Sequence, residues 1–333
     1  MNSILFLILI SISICSLVGI LAGLLDYFDG LWWLFDLFNH FRLQALLSSL
    51  VLLFLSLVIK DKRCIILAFA VIALNSALII ERFYAFPAAK YPSQISYIQG
   101  KTEDISVLFS NVLRSNSQHQ LFLDTTSRHN PDIIVTTEID ETWKNALIPI
   151  QSTYIHSVVI PRSDNFGMAI YSKLPFKSEQ YNVGNYQLPL MLLDFDTFIL
   201  IAAHPIPPIS HKNYLEIHAY MSEIATVLAK TEKPVVLVGD FNTTIFSDII
   251  NNLRGLNLVR TNQLGFAWTW PSGFWLLGLQ IDHIFVRDAV MADFEVLPYI
   301  GSDHFPVKSN ITLYTQPEQK NEQDRTKKDF TNE

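Results

Sequence analysis

The pattern of apolar and polar positions changes once along this chain, near residue 90. Before that point long apolar runs carry almost no charge; beyond it short apolar runs alternate with polar stretches. From Ile4 to Leu25 no charge interrupts the run, and a helix of that length, rising about 1.5 Å per residue, crosses a hydrocarbon core of about 30 Å. Two further uncharged runs cover 43–59 and 64–80. Three such runs in succession predict three transmembrane helices (4–25, 43–59 and 64–80) within a membrane region of residues 1–83. A cleaved signal peptide is the rival for the first run, but no basic segment precedes it and two more runs follow.

Past the break the pattern predicts alternating strands and helices. ISVLFSNV (105–112), DIIVTTE (132–138), PVVLVG (234–239) and QIDHIFVRD (280–288) read as strands. SQHQLFLDTTSRH (117–129) and residues 212–230 have helical spacing, and MLLDF with FILIAAHP forms a hairpin turning at Asp196 and Thr197. Hairpins in the middle favour an α+β layered sandwich over a doubly wound parallel sheet. Residues 84–101, with Pro87, Pro92 and Gly100, read as a linker, 102–315 as one large domain, and 316–333, without apolar periodicity, as a disordered tail.

Charge refines this picture. The turn KDKR (60–63) carries three basic residues, whereas Asp26–Arg42 carries three aspartates and one arginine. The basic turn is therefore expected in the cytoplasm, which makes the protein multi-pass in the cell membrane with its large domain extracytoplasmic. The segment YFDGLWWLFDLF (27–38) fits an interfacial helix with Trp32 and Trp33 at headgroup depth, or a simple extension of the spans. From Lys101 onward acidic residues outnumber basic ones 26 to 18, so a nucleic-acid partner is not expected. Cys15 and Cys64 both fall in the apolar half; the domain thus has no disulfide framework and no thiolate nucleophile.

Candidate chemistry collects where apolar runs end. Asn111, Glu138, His204, Asp240 with Asn242, Asp282, and Asp303 with His304 each sit at such an end. Singly, each has an ordinary explanation, an Asp or Asn capping a turn or a histidine satisfied by its neighbours. Together they concentrate carboxylates beside an apolar core, which is costly without a counter-charge. Oxygen ligands of this kind suit Mg²⁺ or Mn²⁺, and such an ion implies phosphoryl chemistry. Asp240 and Asn242, two apart on an extended chain, are expected to point the same way.

The motifs SNVLRSN, TTE, AAHP, GDFN, IDH and GSDH, in that order, resemble those of the endonuclease/exonuclease/phosphatase superfamily over residues 104–314. The resemblance implies a four-layer αββα sandwich of two mixed β-sheets with the active site at one end. It also implies roles: Glu138 as the principal metal ligand with Asn111 and Asp303 beside it, Asp240 directing the attacking water, and Asn242 holding a phosphoryl oxygen. His304 would face the scissile phosphate with Asp282 orienting it, and His204 would be a second phosphate-facing histidine. The three preceding spans, with LFNHFRLQ (37–44), are similar to the membrane-bound phosphatases linked to teicoplanin resistance, which implies a phosphorylated lipid, such as a polyprenyl diphosphate, at the bilayer surface. The alternatives are a phosphodiesterase of the same fold, either an extracytoplasmic nuclease or a sphingomyelinase-like phospholipase, and a membrane-tethered protein that only binds. His283, Asn116 and Asn165 read as structural. The aromatic loop FAWTWPSGFW (266–275) either packs in the core or touches lipid.

Overall fold

The computed structural model describes residues 3–25, 32–89 and 101–315. Four helices come first: α1 (Ser3–Leu25), α2 (Trp32–Asn39), α3 (Arg42–Ile59) and α4 (Lys62–Ala85). Helices α3 and α4 are long and apolar enough to cross a membrane, and less than a third of their apolar windows is buried. In α1 the apolar stretch among the described residues, Phe6–Val18, is shorter than a full span. The turn between α3 and α4 is capped at both sides. Lys60 adopts a left-handed conformation (φ 59°) after α3, and the Asp61 carboxylate accepts from the backbone N–H groups of Arg63 and Cys64 at the start of α4.

Between these helices apolar contacts of Leu9, Leu52 and Ala68 are joined by polar pairs, while their outer faces are apolar. Asn75 Nδ2 donates to Ser16 Oγ at 2.9 Å, and Ser13 Oγ lies 3.2 Å from Ser49 Oγ. Leu47, Leu50, Phe54, Leu57, Ile66 and Phe69 are exposed. A bundle in water turns polar faces outward, because apolar burial drives its association; in lipid, small and polar residues join the helices.

The remaining chain builds two mixed sheets. The first runs β11 (Ala289–Ala292), β13 (Val307–Thr315), β1 (Lys101–Asn111), β2 (Ile133–Thr137), β4 (Met168–Ser172), β3 (His156–Ile160), with β12 (Glu295–Val296) on β13. The second runs β5 (Lys177–Val183), β6 (Leu188–Asp194), β7 (Ile199–Ala203), β8 (Val235–Asp240), β10 (Asp282–Arg287), β9 (Val259–Arg260). The strands that matter below are β1, β2, β7, β8, β10 and β13. Successive side chains of a strand face opposite ways, so both faces of each central strand are apolar. Val107, Phe109, Val135, Val236, Val238 and Ile284 meet between the sheets. Leu108 and Ile134 pack outward with Phe122 of α5 (His119–His129) and Trp143 of α6 (Glu141–Ala146). Leu237 and Ile201 pack outward with Tyr220, Met221 and Ile224 of α7 (His211–Ala229). Helix, sheet, sheet and helix make four layers.

Several boundaries differ from the sequence reading. Helix α4 continues to Ala85 and the chain stays ordered beyond it: Ala89 N–H donates to the Arg260 carbonyl at 2.8 Å, and Phe86 is buried. The start of the linker is thus paired to the domain, while residues 90–100 and the tail 316–333 lie outside the described residues. The segment 26–31 does too. Helix α2 does not lie free at an interface. Trp33 packs on the domain's helix-side core, and Asp36, almost fully buried, accepts from Ser247 Oγ at 2.5 Å and from Asp248 N–H at 2.9 Å.

Candidate active site

Strand direction explains why residues so far apart in sequence converge. β1 and β2 are parallel, as are β7 and β8, so Asn111, Glu138, His204 and Asp240 all emerge at one end of the sheets. β10 runs antiparallel to β8 and pairs Asp282 with Asp240; β13 runs antiparallel to β1, so the turn before Val307 brings His304 to the same end.

Asp240 is the hub. Its Oδ2 lies 3.0 Å from Asn111 Nδ2, 3.5 Å from His204 Nε2 and 3.6 Å from His304 Nε2, while Oδ1 accepts from Asn242 N–H at 2.9 Å. Burial alone would raise its pKa, but the imidazoles of His304 and His204 and the Asn111 amide hold the carboxyl well below the usual carboxylate range. Asn111 Nδ2 also donates to Glu138 Oε1 at 3.0 Å, so one amide bridges two carboxylates. Asn111 Oδ1 accepts from Leu113 N–H at 3.0 Å, which fixes the orientation of that amide.

Glu138 follows β2 in a left-handed conformation, φ 65°, which costs an ordinary side chain of order 1–3 kcal/mol. Two hydrogen bonds hold it there, from Asn111 Nδ2 and from Arg114 N–H to Oε2 at 3.1 Å. Strain maintained against such a cost marks a position selected for something other than stability.

His304 and Asp282 form a buried pair. Nδ1 donates to the carboxylate, 3.0 Å from each oxygen. Burial would lower the pKa of His304, yet Asp282 and Asp240 outweigh it and push it up to about 10. Burial pushes Asp282 above its ordinary range, with His304 opposing. Because both Asp282 oxygens face Nδ1, the pair's proton resides on the imidazole at neutral pH. Thr269 Oγ1 steadies Asp282 by accepting from its backbone N–H at 3.3 Å.

One expectation needs correction. Asn242 is not on an extended chain: β8 ends at Asp240 and Asn242 has φ 50°. It lines the same cavity through a left-handed turn, and its Nδ2 donates to the Pro205 carbonyl at 2.9 Å. The side chain thereby ties the loop after β8 to the loop after β7. Asp303 lines the cavity as well. Its Oδ2 accepts from Trp270 Nε1 at 3.1 Å, and its Oδ1 is buried without a partner. His283 and Asn116 have structural places. His283 Nε2 bonds the Thr243 carbonyl at 2.9 Å with its pKa lowered by burial to about 4, and Asn116 Nδ2 donates to the Val112 and Ile300 carbonyls.

Gly239 explains the glycine of GDFN. A Cβ there would stand 1.9 Å from the Ala203 carbonyl oxygen, so only glycine lets β7 come close enough to set His204 beside Asp240. Gly239→Ala is expected to lower stability by about 1–3 kcal/mol through this overlap, read as a fall in the thermal unfolding midpoint; an unchanged midpoint would contradict the packing described.

The cavity over these groups measures about 820 Å³, within the range of small-molecule sites. Sequence reasoning missed three of its contributors. Arg114 stands within the quoted motif SNVLRSN, its guanidinium held by Asn165 Oδ1 at 3.0 Å and the Ser163 carbonyl at 2.8 Å. His40 and Phe41 line the cavity from beyond the end of α2. His40 Nδ1 accepts from Thr244 N–H at 3.2 Å, so its proton sits on Nε2, and burial holds its pKa down despite Asp36. The sequence LFNHFRLQ held that signal, but nothing in it pointed to the loop after β8.

A divalent cation fits this donor set. Asp240, Asp282 and His304 each offer a ligand atom, all within 4.8 Å of one another. However, Asp282 and His304 are committed to each other, which leaves as oxygen donors the carboxylates of Asp240 and Glu138, each already accepting from Asn111, and the unpartnered Asp303 Oδ1. These are hard ligands.

The chain belongs to the endonuclease/exonuclease/phosphatase family, whose sequence profile matches residues 105–304. Members of that family are metal-dependent phosphoesterases. Among solved structures the chain is similar to a humanized D. rerio TDP2 carrying 14 mutations (TM-score 0.52, 16% identity, 62% of this chain and 98% of that one). It is also similar to D. rerio TDP2 complexed with a single strand DNA product (0.53, 15%, 63% and 99%) and to truncated Caenorhabditis elegans TDP2 (0.50, 15%, 62% and 97%). At such identities the likeness establishes the fold. No curated protein matches the sequence significantly.

Proposed function

We propose that this protein is a membrane-anchored, divalent-metal-dependent phosphohydrolase acting on a membrane-borne phosphate ester or diphosphate, with a polyprenyl diphosphate as candidate substrate. One observation carries the reading: Asp240, ringed by Asn111, His204 and His304, opens into a cavity on a chain whose α3 and α4 turn apolar side chains outward. The two long apolar helices α3 and α4, with the basic turn at 60–63 between them, support an extracytoplasmic site.

The roles follow from the geometry. Asp240, ionised and accepting, orients the attacking water and takes its proton. The 3.5 and 3.6 Å separations from the two imidazoles are too long for strong hydrogen bonds and leave both Nε2 donors free for phosphoryl oxygens. His304, kept positive by Asp282, opposes the charge that grows on the phosphoryl group. Asn242 holds a phosphoryl oxygen once substrate displaces the Pro205 carbonyl from its amide. A Mg²⁺ or Mn²⁺ ion would be held by Glu138 with Asp240 and Asp303 and would supply charge neutralisation at a phosphoryl oxygen. Asn111, whose amide NH2 faces the carboxylates, positions Glu138 and Asp240 instead of ligating.

Purified full-length protein should release phosphate from a polyprenyl diphosphate with Mg²⁺ and not with chelator; absence of metal-dependent release would sink the reading. Binding is measurable separately. Mg²⁺ at a hundredfold its dissociation constant should stabilise the native protein by about 2.7 kcal/mol, and Glu138→Gln should lose most of that shift in unfolding midpoint. An equal shift in both proteins would remove Glu138 from the metal site. A nucleic-acid substrate, the ligand class of one D. rerio TDP2 structure, is opposed by the acidic excess from Lys101 onward; plasmid nicking would reverse that.

A further inference from the structure

The cavity is chemically two-sided. One end holds Asp240, Glu138 and His304. The other is walled by Leu37 and Phe41 from the α2–α3 corner, Ile206, Pro207 and Ile209 from the loop after β7, and Leu279 ahead of β10. A phosphate or diphosphate group needs the first end only, and 820 Å³ is far more than that head would fill. The charged side chains near the rest of the wall are already occupied: Arg114 by Asn165 and Ser163, and Asp164 by Arg162 at 2.6 Å.

The apolar wall is a built one. Leu37, in the last turn of α2, and Phe41, in the turn after it, both line the cavity, and this segment is fixed to the loop after β8 by Asp36 with Ser247 and Asp248 and by His40 with Thr244. Helix α3 starts at the next residue, Arg42, and exposes Leu47, Leu50 and Val51 outward. Ile209 is 68% exposed at the cavity. The α2–α3 corner of the cavity thus directly precedes, in the chain, the helix whose outer face is apolar.

We infer that this end is a hydrocarbon subsite: Leu37 and Phe41, with Ile206, Pro207, Ile209 and Leu279, hold the first carbons of a linear amphiphilic phosphate ester whose head lies between Asp240 and His304. The inference rests on the hydrolase reading for the position of the head. It argues against a polynucleotide as the natural occupant, since these six residues carry no charge to meet a phosphodiester backbone.

The test measures binding, separately from turnover. Full-length, metal-loaded protein in lipid nanodiscs is titrated calorimetrically with n-alkyl phosphonates of increasing chain length, with empty nanodiscs subtracted. The dissociation constant should fall about three- to fourfold for each methylene buried, until the wall ends. Leu37→Asn and Ile209→Asn should flatten that slope, while Ile155→Asn, exposed and outside the cavity lining, should keep it. Affinity independent of chain length, no binding of any member, or a wild-type slope in both cavity variants would overturn the subsite. Phosphate release measured on the same preparations separates the two claims. A chain-length slope without turnover of any ester leaves the subsite standing and removes the hydrolase; turnover without a slope does the reverse.

Discussion

Asp240→Asn should reduce turnover of the phosphate ester by about a thousandfold or more, the scale on which losing a general base acts. The change is close to isosteric, so the effect comes from hydrogen-bond polarity. Asn111 Nδ2 donates to Oδ2 and Asn242 N–H to Oδ1, and the His204 and His304 imidazoles face Oδ2 at 3.5 and 3.6 Å. An amide has one accepting oxygen and two N–H donors, so whichever way it turns, one set of these donors faces another donor. The substituted group is also a far weaker base. Initial rates at saturating substrate and Mg²⁺, with the unfolding midpoint as a control for folding, check this. Turnover within tenfold of wild type at an unchanged midpoint would show that Asp240 does not direct the water.

Asp282→Asn should act through the imidazole. Without the carboxylate, His304 loses the largest of the influences that raise its pKa, while burial continues to favour its neutral form. Turnover should fall by about 10²–10⁴, and the alkaline limb of the pH–rate profile should move to lower pH. The same pair governs stability. Because the folded pKa of His304 lies above its ordinary value near 6.5, its contribution is complete below about pH 6.5. It is then lost as pH rises through about 10. Metal-free wild-type protein should therefore show an unfolding midpoint that declines across that alkaline window, and Asp282→Asn a flatter one. An alkaline limb in the same place in both proteins would mean that another group sets it.

Much of the polar half of the site is legible in the sequence for a simple reason. Asn111, Glu138, His204, Asp240 and Asp282 each interrupt a buried apolar run, and the topology places those interruptions at one end. The sandwich itself is legible because its central strands are apolar on both faces. Edge strands are not. β5 (Lys177–Val183, KSEQYNV) buries only Val183, and β3 (His156–Ile160, HSVVI) is half-buried, so neither shows a strand's alternation clearly. The apolar half of the cavity is hidden for a different reason. Leu37 and Phe41 look like any residues flanking a membrane helix, and only the docking of Asp36 and His40 onto residues more than two hundred positions away gives them a role. The left-handed conformations of Glu138 and Asn242 are equally tertiary in origin: their partners, Asn111, Arg114 and Pro205, are what hold them.

The clamp between Asp36 and the Ser247–Asp248 turn, together with His40 on Thr244, alters what the anchor means. On the proposed reading it would not be a leash that merely keeps a self-sufficient hydrolase near its substrate. The helical segment that would anchor the protein also supports the loop that follows Asp240, so a fragment cut at the linker would lack part of the candidate site's scaffold. Solubilising the enzyme by truncation and assaying it by turnover are, on this architecture, competing aims.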